Sequence, residues 1–327
     1  MDINQIAEMA GVSRATVSRY LNDGYVSQEK RERIARVIDE TGYVPSKRAQ
    51  QLRRGRTDVV GVIIPKINSA SISRIVAGLT SVFNESDYQV LLANAENDAA
   101  RELDFLQLFL ERDQVDGIVL VATVLSPAHK KAIRAAQVPV VIVDQSLPGL
   151  PCVYQDDYGA VLTATELVLE HAAHPAYLGV FEEDESAGHD RRRGFADACE
   201  AAGVEVPHGA VLTAEFSVDS GYSCTEQILE TFPQVDAIVC ATDSIAFGAL
   251  TCLREHGRAV PDEVQVTGVG DSELAQIVTP TLTTVHHHYK TSGSEAAKML
   301  VGLMTGTDRV AREVKMSFEL VRRRSTR

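Results

Sequence analysis

Two arginines, Arg14 and Arg19, bracket Ala15, Thr16, Val17 and Ser18. A guanidinium presents paired donors that match the O6 and N7 acceptors of guanine, and alanine or threonine methyls can meet the methyl of thymine. Serine and threonine hydroxyls serve bases and phosphates alike. Such a set reads base edges only when a narrow, rigid rod carries it into a groove. A second group is purely cationic: Lys47, Arg48, Arg53 and Arg54 crowd a short stretch that Pro45 opens and Gly55 closes, and Arg56 follows it. That density of charge suits phosphates. A third group sits at the ends of apolar runs. Asp144 follows the run 139–143, and Thr242 and Asp243 follow the run 236–241. Polar groups at strand ends are where open α/β sheets hold small molecules.

The elements that position the first group are legible. Ile3, Ile6, Ala7 and Ala10 recur at helical spacing, and Gly11 stops that helix. Ser13 can cap a second helix running from Arg14 to about Leu21, with Val17 and Leu21 turned inward. Asn22-Asp23-Gly24 is a loop. Ser27 can cap a third helix with Ile34, Val37 and Ile38 on its apolar face, and Gly42 ends it. Two short helices joined by Ala10-Gly11-Val12-Ser13 read as a helix-turn-helix, with Arg14, Ala15, Thr16, Ser18 and Arg19 facing a major groove. From residue 57 onward, apolar runs alternate with helical patterns in two blocks of similar length. That rhythm predicts parallel sheets with helices on both faces. A last helix near 290–305 and a final strand near 313–321 could return across both blocks.

Charge divides the chain in the same place. The whole protein carries −13, which alone argues against nucleic acid, yet residues 1–56 hold 11 Lys/Arg against 7 Asp/Glu. A basic module is therefore attached to an acidic body, which should face away from DNA. With 327 residues and 45% hydrophobic content the chain can bury a sizeable core. No apolar run is long enough to suggest a membrane span, and Met1-Asp2-Ile3-Asn4-Gln5 has no basic start of a secretory signal, so the cytoplasm is expected. Five widely spaced cysteines, Cys152, Cys199, Cys224, Cys240 and Cys252, fit reduced thiols.

The helix-turn-helix stretch, the spacing to Val26-Ser27 and the run Gly42-Tyr43-Val44-Pro45-Ser46-Lys47-Arg48-Ala49-Gln50-Gln51-Leu52 resemble the LacI/GalR family of bacterial regulators. The resemblance extends over essentially the entire chain. It implies a small all-α helix-turn-helix domain (1–45), a hinge helix (46–56) and a periplasmic-binding-protein-like α/β core (57–327). The core would consist of two doubly wound parallel-sheet lobes, about 57–156 with 287–314 and about 157–286 with 315–327. It further implies a homodimeric repressor that binds double-stranded operator DNA under control of a carbohydrate effector. In that scheme Lys47, Arg48, Gln51 and Leu52 join the DNA contacts, Leu52 as an apolar wedge between base steps.

For the effector, Arg191 in Arg191-Arg192-Arg193-Gly194-Phe195 resembles the family's ligand-binding arginine motif. Phe216 falls where the family places a stacking aromatic, and Thr242-Asp243 resembles its Asn-Asp pair. The family's Gly-aromatic-Asp-Asp pattern appears here as Gly268-Val269-Gly270-Asp271, so one acid is missing and Asp271 remains. That departure, with Pro65-Lys66-Ile67-Asn68-Ser69, resembles the sucrose- and trehalose-operon branch. It implies Lys66, Asn68 and Ser69 as further contacts and a disaccharide or its phosphate as the effector.

Other signals carry blander expectations. His286-His287-His288 suggests structural histidines near a crossover rather than a metal site. Asp156-Asp157 and Glu182-Glu183-Asp184-Glu185 suggest solvated surface or helix N-terminal charge. The end, Arg322-Arg323-Arg324-Ser325-Thr326-Arg327, suggests a solvated tail. No nucleotide, metalloprotease or serine-hydrolase signature is present, so neither a cofactor nor an enzymatic activity is expected.

Overall fold

The computed structural model describes residues 1–43, 56–111 and 114–327. These form two compact units, Met1–Asp58 and Val59–Arg327.

The first unit is a three-helix cluster: α1 (Ile3–Met9), α2 (Arg14–Tyr20) and α3 (Gln28–Thr41). Ile6, Ala7, Ala10, Val17, Val26, Ile34 and Val37 make its core. Asp2 and Gln5 close a capping box at the start of α1. Ser13 caps α2 through the Thr16 amide at 3.3 Å, so the turn is fixed by a side chain read directly from sequence. Gly11 turns the chain with φ at 61°, a backbone conformation that a Cβ disfavours.

The second unit holds two six-stranded sheets. Sheet one contains β1 (Val59–Ile64), β2 (Gln89–Asn94), β3 (Gly117–Val121), β4 (Val140–Val143), β5 (Cys152–Gln155) and β11 (Glu313–Met316). Their order is β11-β5-β4-β3-β1-β2, and every pairing is parallel. The helices linking them are α4 (Ala70–Glu85), α5 (Ala99–Glu111) and α6 (Pro127–Ala135). β1 shows why its sequence is continuously apolar. Val60, Val62 and Ile64 pack toward α4, while Ile63 packs toward Leu106, Phe109 and Ile133 on the other face.

Sheet two contains β6 (Pro175–Gly179), β7 (Val211–Thr213), β8 (Ala237–Cys240), β9 (Gln265–Val269), β10 (Thr283–His287) and β12 (Phe318–Val321). The order is β12-β10-β9-β8-β6-β7, parallel except for the antiparallel β10–β12 edge. Its helices are α7 (Asp157–Leu169), α8 (Arg191–Ala201), α9 (Val218–Thr231) and α10 (Asp243–Glu255). A single turn of π-helix, Glu185–Asp190, leads into α8.

The chain passes between the sheets three times: after β5, after β10 and between β11 and β12. The crossings touch, because Asp156 donates its amide to the Met316 carbonyl at 3.1 Å and His287 Nε2 lies 3.5 Å from Asp157. After the second crossing, α11 (Tyr289–Thr305) returns to lobe one. There Gly78 of α4 and Gly293 of α11 bring two backbones together; a Cβ at either would lie near 2 Å from a carbonyl oxygen of the other helix. The expected single strand near 313–321 is thus two strands in different sheets.

The C-terminal segment is not a solvated tail. Ser325 and Thr326 are buried, Ser325 Oγ donates to the Val266 carbonyl at 2.6 Å, and the Arg327 amide reaches Gln265 Oε1 at 2.9 Å. Small hydroxylated residues following the arginines let the segment zip against β9. Among the described residues no helix is long and apolar enough to cross a membrane.

Candidate functional site

In the helical unit, Arg14, Ala15 and Arg19 lie exposed on α2, while Thr16 and Ser18 are half-buried. Ser13 and Thr16 also bond each other at 3.0 Å, so the cap presents one hydroxyl pair rather than two independent groups. Arg31 lies 5.4 Å from the centre of the Tyr20 ring, and Arg33 Nη2 bonds the Gly11 carbonyl at 3.1 Å. Those two cations brace the unit from α3, in contrast to the outward Arg14 and Arg19. Lys47, Arg48, Gln51 and Leu52 lie outside the described residues.

In the second unit, a cavity of about 210 Å³ opens between the two sheets at the carboxyl ends of their strands. Lys66, Asn68, Ser69, Asp144, Arg191, Phe216, Thr242 and Asp243 all line it. They come from both lobes and from positions nearly 180 residues apart in sequence. Asp144 enters through a left-handed turn with φ at 67° directly after β4. Arg191, buried at the head of α8, holds the Asp157 carboxylate with Nε and Nη2, each at 2.7 Å, and donates Nη1 to the Ala241 carbonyl. Burial alone would raise the Asp157 pKa, but Arg191 and then His287 hold it well below the usual carboxylate range. Asp243 is the buried first residue of α10. Its carboxylate accepts the Ser272 amide at 2.7 Å and the Thr284 hydroxyl, and burial raises its pKa.

Asp271 does not line the cavity. Its carboxylate is held by Arg323 at 2.6 Å and by His286 Nδ1 at 2.8 Å. The expectation that it meets a ligand is corrected: the arginine of the C-terminal segment, read from sequence as solvated, occupies it. The three histidines turn to different acids, His286 to Asp271, His287 to Asp157 and His288 to Glu319.

Several lining residues were not singled out from sequence: Arg74, Gln145, Gln155, Asp184 and Tyr289. Asp184 was hidden in a run of four acids. Its neighbours Glu182, Glu183 and Glu185 are exposed, but Asp184 is only 4% exposed. Burial lifts its carboxyl to about 6. Asp157 was likewise hidden beside Asp156, the solvent-side cap of α7. Gln155 ends β5 as Asp144 follows β4; the strand-end rule would have found it had β5 been recognised.

The walls are tied across the cleft. Gln145 Nε2 of lobe one donates to Asp184 Oδ1 of lobe two at 2.8 Å. Ser186 Oγ donates to the Asp144 carbonyl at 2.6 Å. Arg74 of α4 donates to the carbonyls of Gly270 and Asp271, with its guanidinium 5.0 Å from the Tyr289 ring centre. The arrangement suits polar molecules and links the lobes; Asp157, Asp184 and Asp243 are engaged by cations, amides and hydroxyls, whereas Asp144 Oδ1 has no partner.

Comparison with known proteins agrees with both units. Residues 2–46 match "Bacterial regulatory proteins, lacI family", and residues 164–326 match "Periplasmic binding protein-like domain". The sucrose operon repressor of Staphylococcus xylosus is 32% identical over 322 residues, covering 97% of this chain and 99% of the relative. The HTH-type transcriptional regulator CelR of Thermobifida fusca is 32% identical over 93% of this chain and 92% of its own. Among solved structures, a transcriptional regulator CelR–cellobiose complex superposes with a TM-score of 0.77 at 29% identity, covering 99% of both chains. A lac repressor dimer bound to operator and the anti-inducer ONPF gives 0.87 at 24% identity, covering 100% of this chain and 99% of that one, a likeness of fold. The chain therefore belongs to the lacI family of bacterial regulatory proteins, transcriptional regulators that join a DNA-binding helix-turn-helix to a two-lobed core resembling periplasmic binding proteins.

Proposed function

We propose that this regulator is a homodimeric, cytoplasmic repressor of a carbohydrate-utilisation operon, and that a sugar in the cleft sets its affinity for operator DNA. Residues 1–45 bind the operator through Arg14, Ala15 and Arg19, with Ser13, Thr16 and Ser18 in support. Residues 46–56 act as the hinge, with Lys47, Arg48 and Gln51 on the backbone and Leu52 as the wedge. Residues 57–327 form the effector-binding core, with Lys66, Asn68, Ser69, Asp144, Arg191, Phe216, Thr242 and Asp243 as its contacts. The effector is a disaccharide or its phosphate, as the relatives named for sucrose and cellobiose suggest. Leu91 and Leu92, exposed on the free edge strand β2, support self-association. The chain binds its sugar without turning it over.

The observation that carries this reading is the set of hydrogen bonds running from lobe to lobe through the cavity wall, above all Gln145–Asp184. A ligand that rearranges those bonds favours one lobe arrangement over another, and its preference is what shifts DNA affinity. The test is operator binding followed by fluorescence anisotropy while sucrose, cellobiose, trehalose and their phosphates are titrated in. At least one should move operator affinity about tenfold or more, the scale of a typical allosteric coupling. An unchanged affinity across that panel would falsify the sugar-response reading.

A further inference from the structure

Most of the polar groups lining the cleft are already engaged. Arg191 is held by Asp157 and the Ala241 carbonyl, and Arg74 by two lobe-two carbonyls. Asp184 accepts from Gln145 and from the Ala187 amide, and Asp243 from the Ser272 amide and Thr284. Apart from the Ser272 hydroxyl, the lining groups that are buried and unpartnered gather in one corner. Gln155 is 4% exposed, yet neither its carboxamide nitrogen nor its oxygen has a hydrogen-bond partner. Oδ1 of Asp144 is likewise sealed from solvent and without a partner. The two residues leave neighbouring parallel strands on the same end of sheet one, where Val143 of β4 pairs with Val153 of β5. Burial raises the Asp144 carboxyl to about 7; Gln155 is close enough to lower it in part, though without a hydrogen bond of ordinary geometry between them.

A buried carboxamide without partners is costly, and folds retain one where something else completes it. Its chemistry states what that is. A carboxamide offers a donor and an acceptor side by side, and a hydroxyl is the group that both accepts and donates. The Asp144 oxygen asks for a donor. Neither asks for a phosphate, which would meet two acceptors here, while the buried cation of the cleft is already held by Asp157.

We propose that Gln155 is a specificity-determining residue of the cleft: with Asp144 it forms a socket that reads two adjacent hydroxyls on one face of a neutral sugar ring. One hydroxyl donates to Asp144 Oδ1. Its neighbour accepts from Gln155 Nε2 and donates to Gln155 Oε1 or onward along the ring. The socket selects a neutral polyol end of the effector and places any charged substituent away from the ends of β4 and β5. This inference rests on the cleft being the effector site.

Isothermal titration of the full chain with sucrose, cellobiose and trehalose, and with the 6-phosphate of each, tests it alongside Gln155→Leu and the near-isosteric Gln155→Glu. The wild type should bind a neutral member at least as tightly as its phosphate. Both variants should weaken that binding roughly 10- to 100-fold, the loss expected when a buried hydroxyl is left unpaired. The melting temperature of Gln155→Leu without sugar should hold or rise, because an unpaired buried amide has been removed. A structural role would lower it instead. Repeating the titration with monodeoxy analogues should reveal one ring position at which the wild type and Gln155→Leu bind alike; that hydroxyl is the one Gln155 reads. Unchanged affinity in both variants, or tighter binding of the phosphates, overturns the socket and leaves the effector site standing. Failure of the wild type to bind any of the six overturns the effector-site reading and the socket with it.

Discussion

The helix-turn-helix unit and the cleft use the same residue types in opposite ways. On α2, Arg14 and Arg19 stand outward in solvent. In the cleft, Arg191 is buried and clamped to Asp157 and a carbonyl. An exposed arginine keeps its hydration until a partner arrives, so its contribution appears in binding and not in stability. A buried one without its acid would leave an uncompensated charge, so its pairing is a condition of folding. The α2 surface proposed to read DNA should therefore be tolerant of substitution in fold and intolerant in function, whereas the cleft couples the two.

That contrast can be broken or sharpened by experiment. The largest effect should follow from removing residues 1–56. A chain beginning at Thr57 should lose all specific retardation of operator DNA in a gel assay and keep its sugar binding. Retained retardation would move the DNA contacts into the core. Next, Asp157→Asn should destabilise the core by about 3–5 kcal/mol in urea unfolding, because it strands Arg191 in the interior. A loss under 1 kcal/mol would mean that water reaches the pair. Arg19→Ala should leave the unfolding midpoint unmoved and weaken cognate operator binding by about 1–3 kcal/mol, with a much smaller change on random DNA. Equal losses on both would reduce Arg19 to a phosphate contact.

The smallest effect concerns a carboxyl behind the cleft. Glu102 is buried, and burial, reinforced by Asp184, lifts its pKa from 4.5 to about 8. It faces His129 at 3.5 Å, whose pKa burial lowers. The folded chain thus holds a proton that the unfolded chain releases above pH 4.5. The stability associated with that proton is complete below pH 4.5 and fades as pH rises through 8. Glu102→Gln cannot release it, so the fall in melting temperature between pH 6 and pH 8.5 should shrink. An identical fall in both proteins would place the titrating group elsewhere.

How much of this was legible in the sequence also differs between the two regions. The helix-turn-helix is written in adjacent residues: Asp2, Gly11 and Ser13 act on neighbours within a turn, so spacing alone describes it. The alternation of strands and helices in the core was equally local. What escaped were features fixed by distant partners. β5 is four residues long and owes its place to β4 on one side and β11, from the far end of the chain, on the other. Asp184 and Asp157 resembled surface charge because nothing adjacent reveals Gln145 or Arg191. Asp271 had the right neighbours in sequence, but Arg323, more than fifty positions away, takes its carboxylate.

The threefold passage of the chain between the sheets has a consequence for how the protein is made. Sheet two and its helices come from one continuous stretch, residues 157–287, lacking only the edge strand β12. Sheet one begins earlier on the ribosome but cannot finish until residues 157–287 have been made. Its core includes Tyr289, Ala296, Ala297, Met299 and Leu300 of α11, and its edge is β11, all synthesised after the continuous stretch of lobe two. Until then α4 has no partner for its Gly78 face and β5 presents an open edge. The lobe that is translated first waits for residues beyond 288, and the nascent chain carries an unfinished apolar surface through the synthesis of residues 157–287. That interval is when a chaperone has most to protect, and when weakened packing between α4 and α11 would turn into aggregation rather than lost activity.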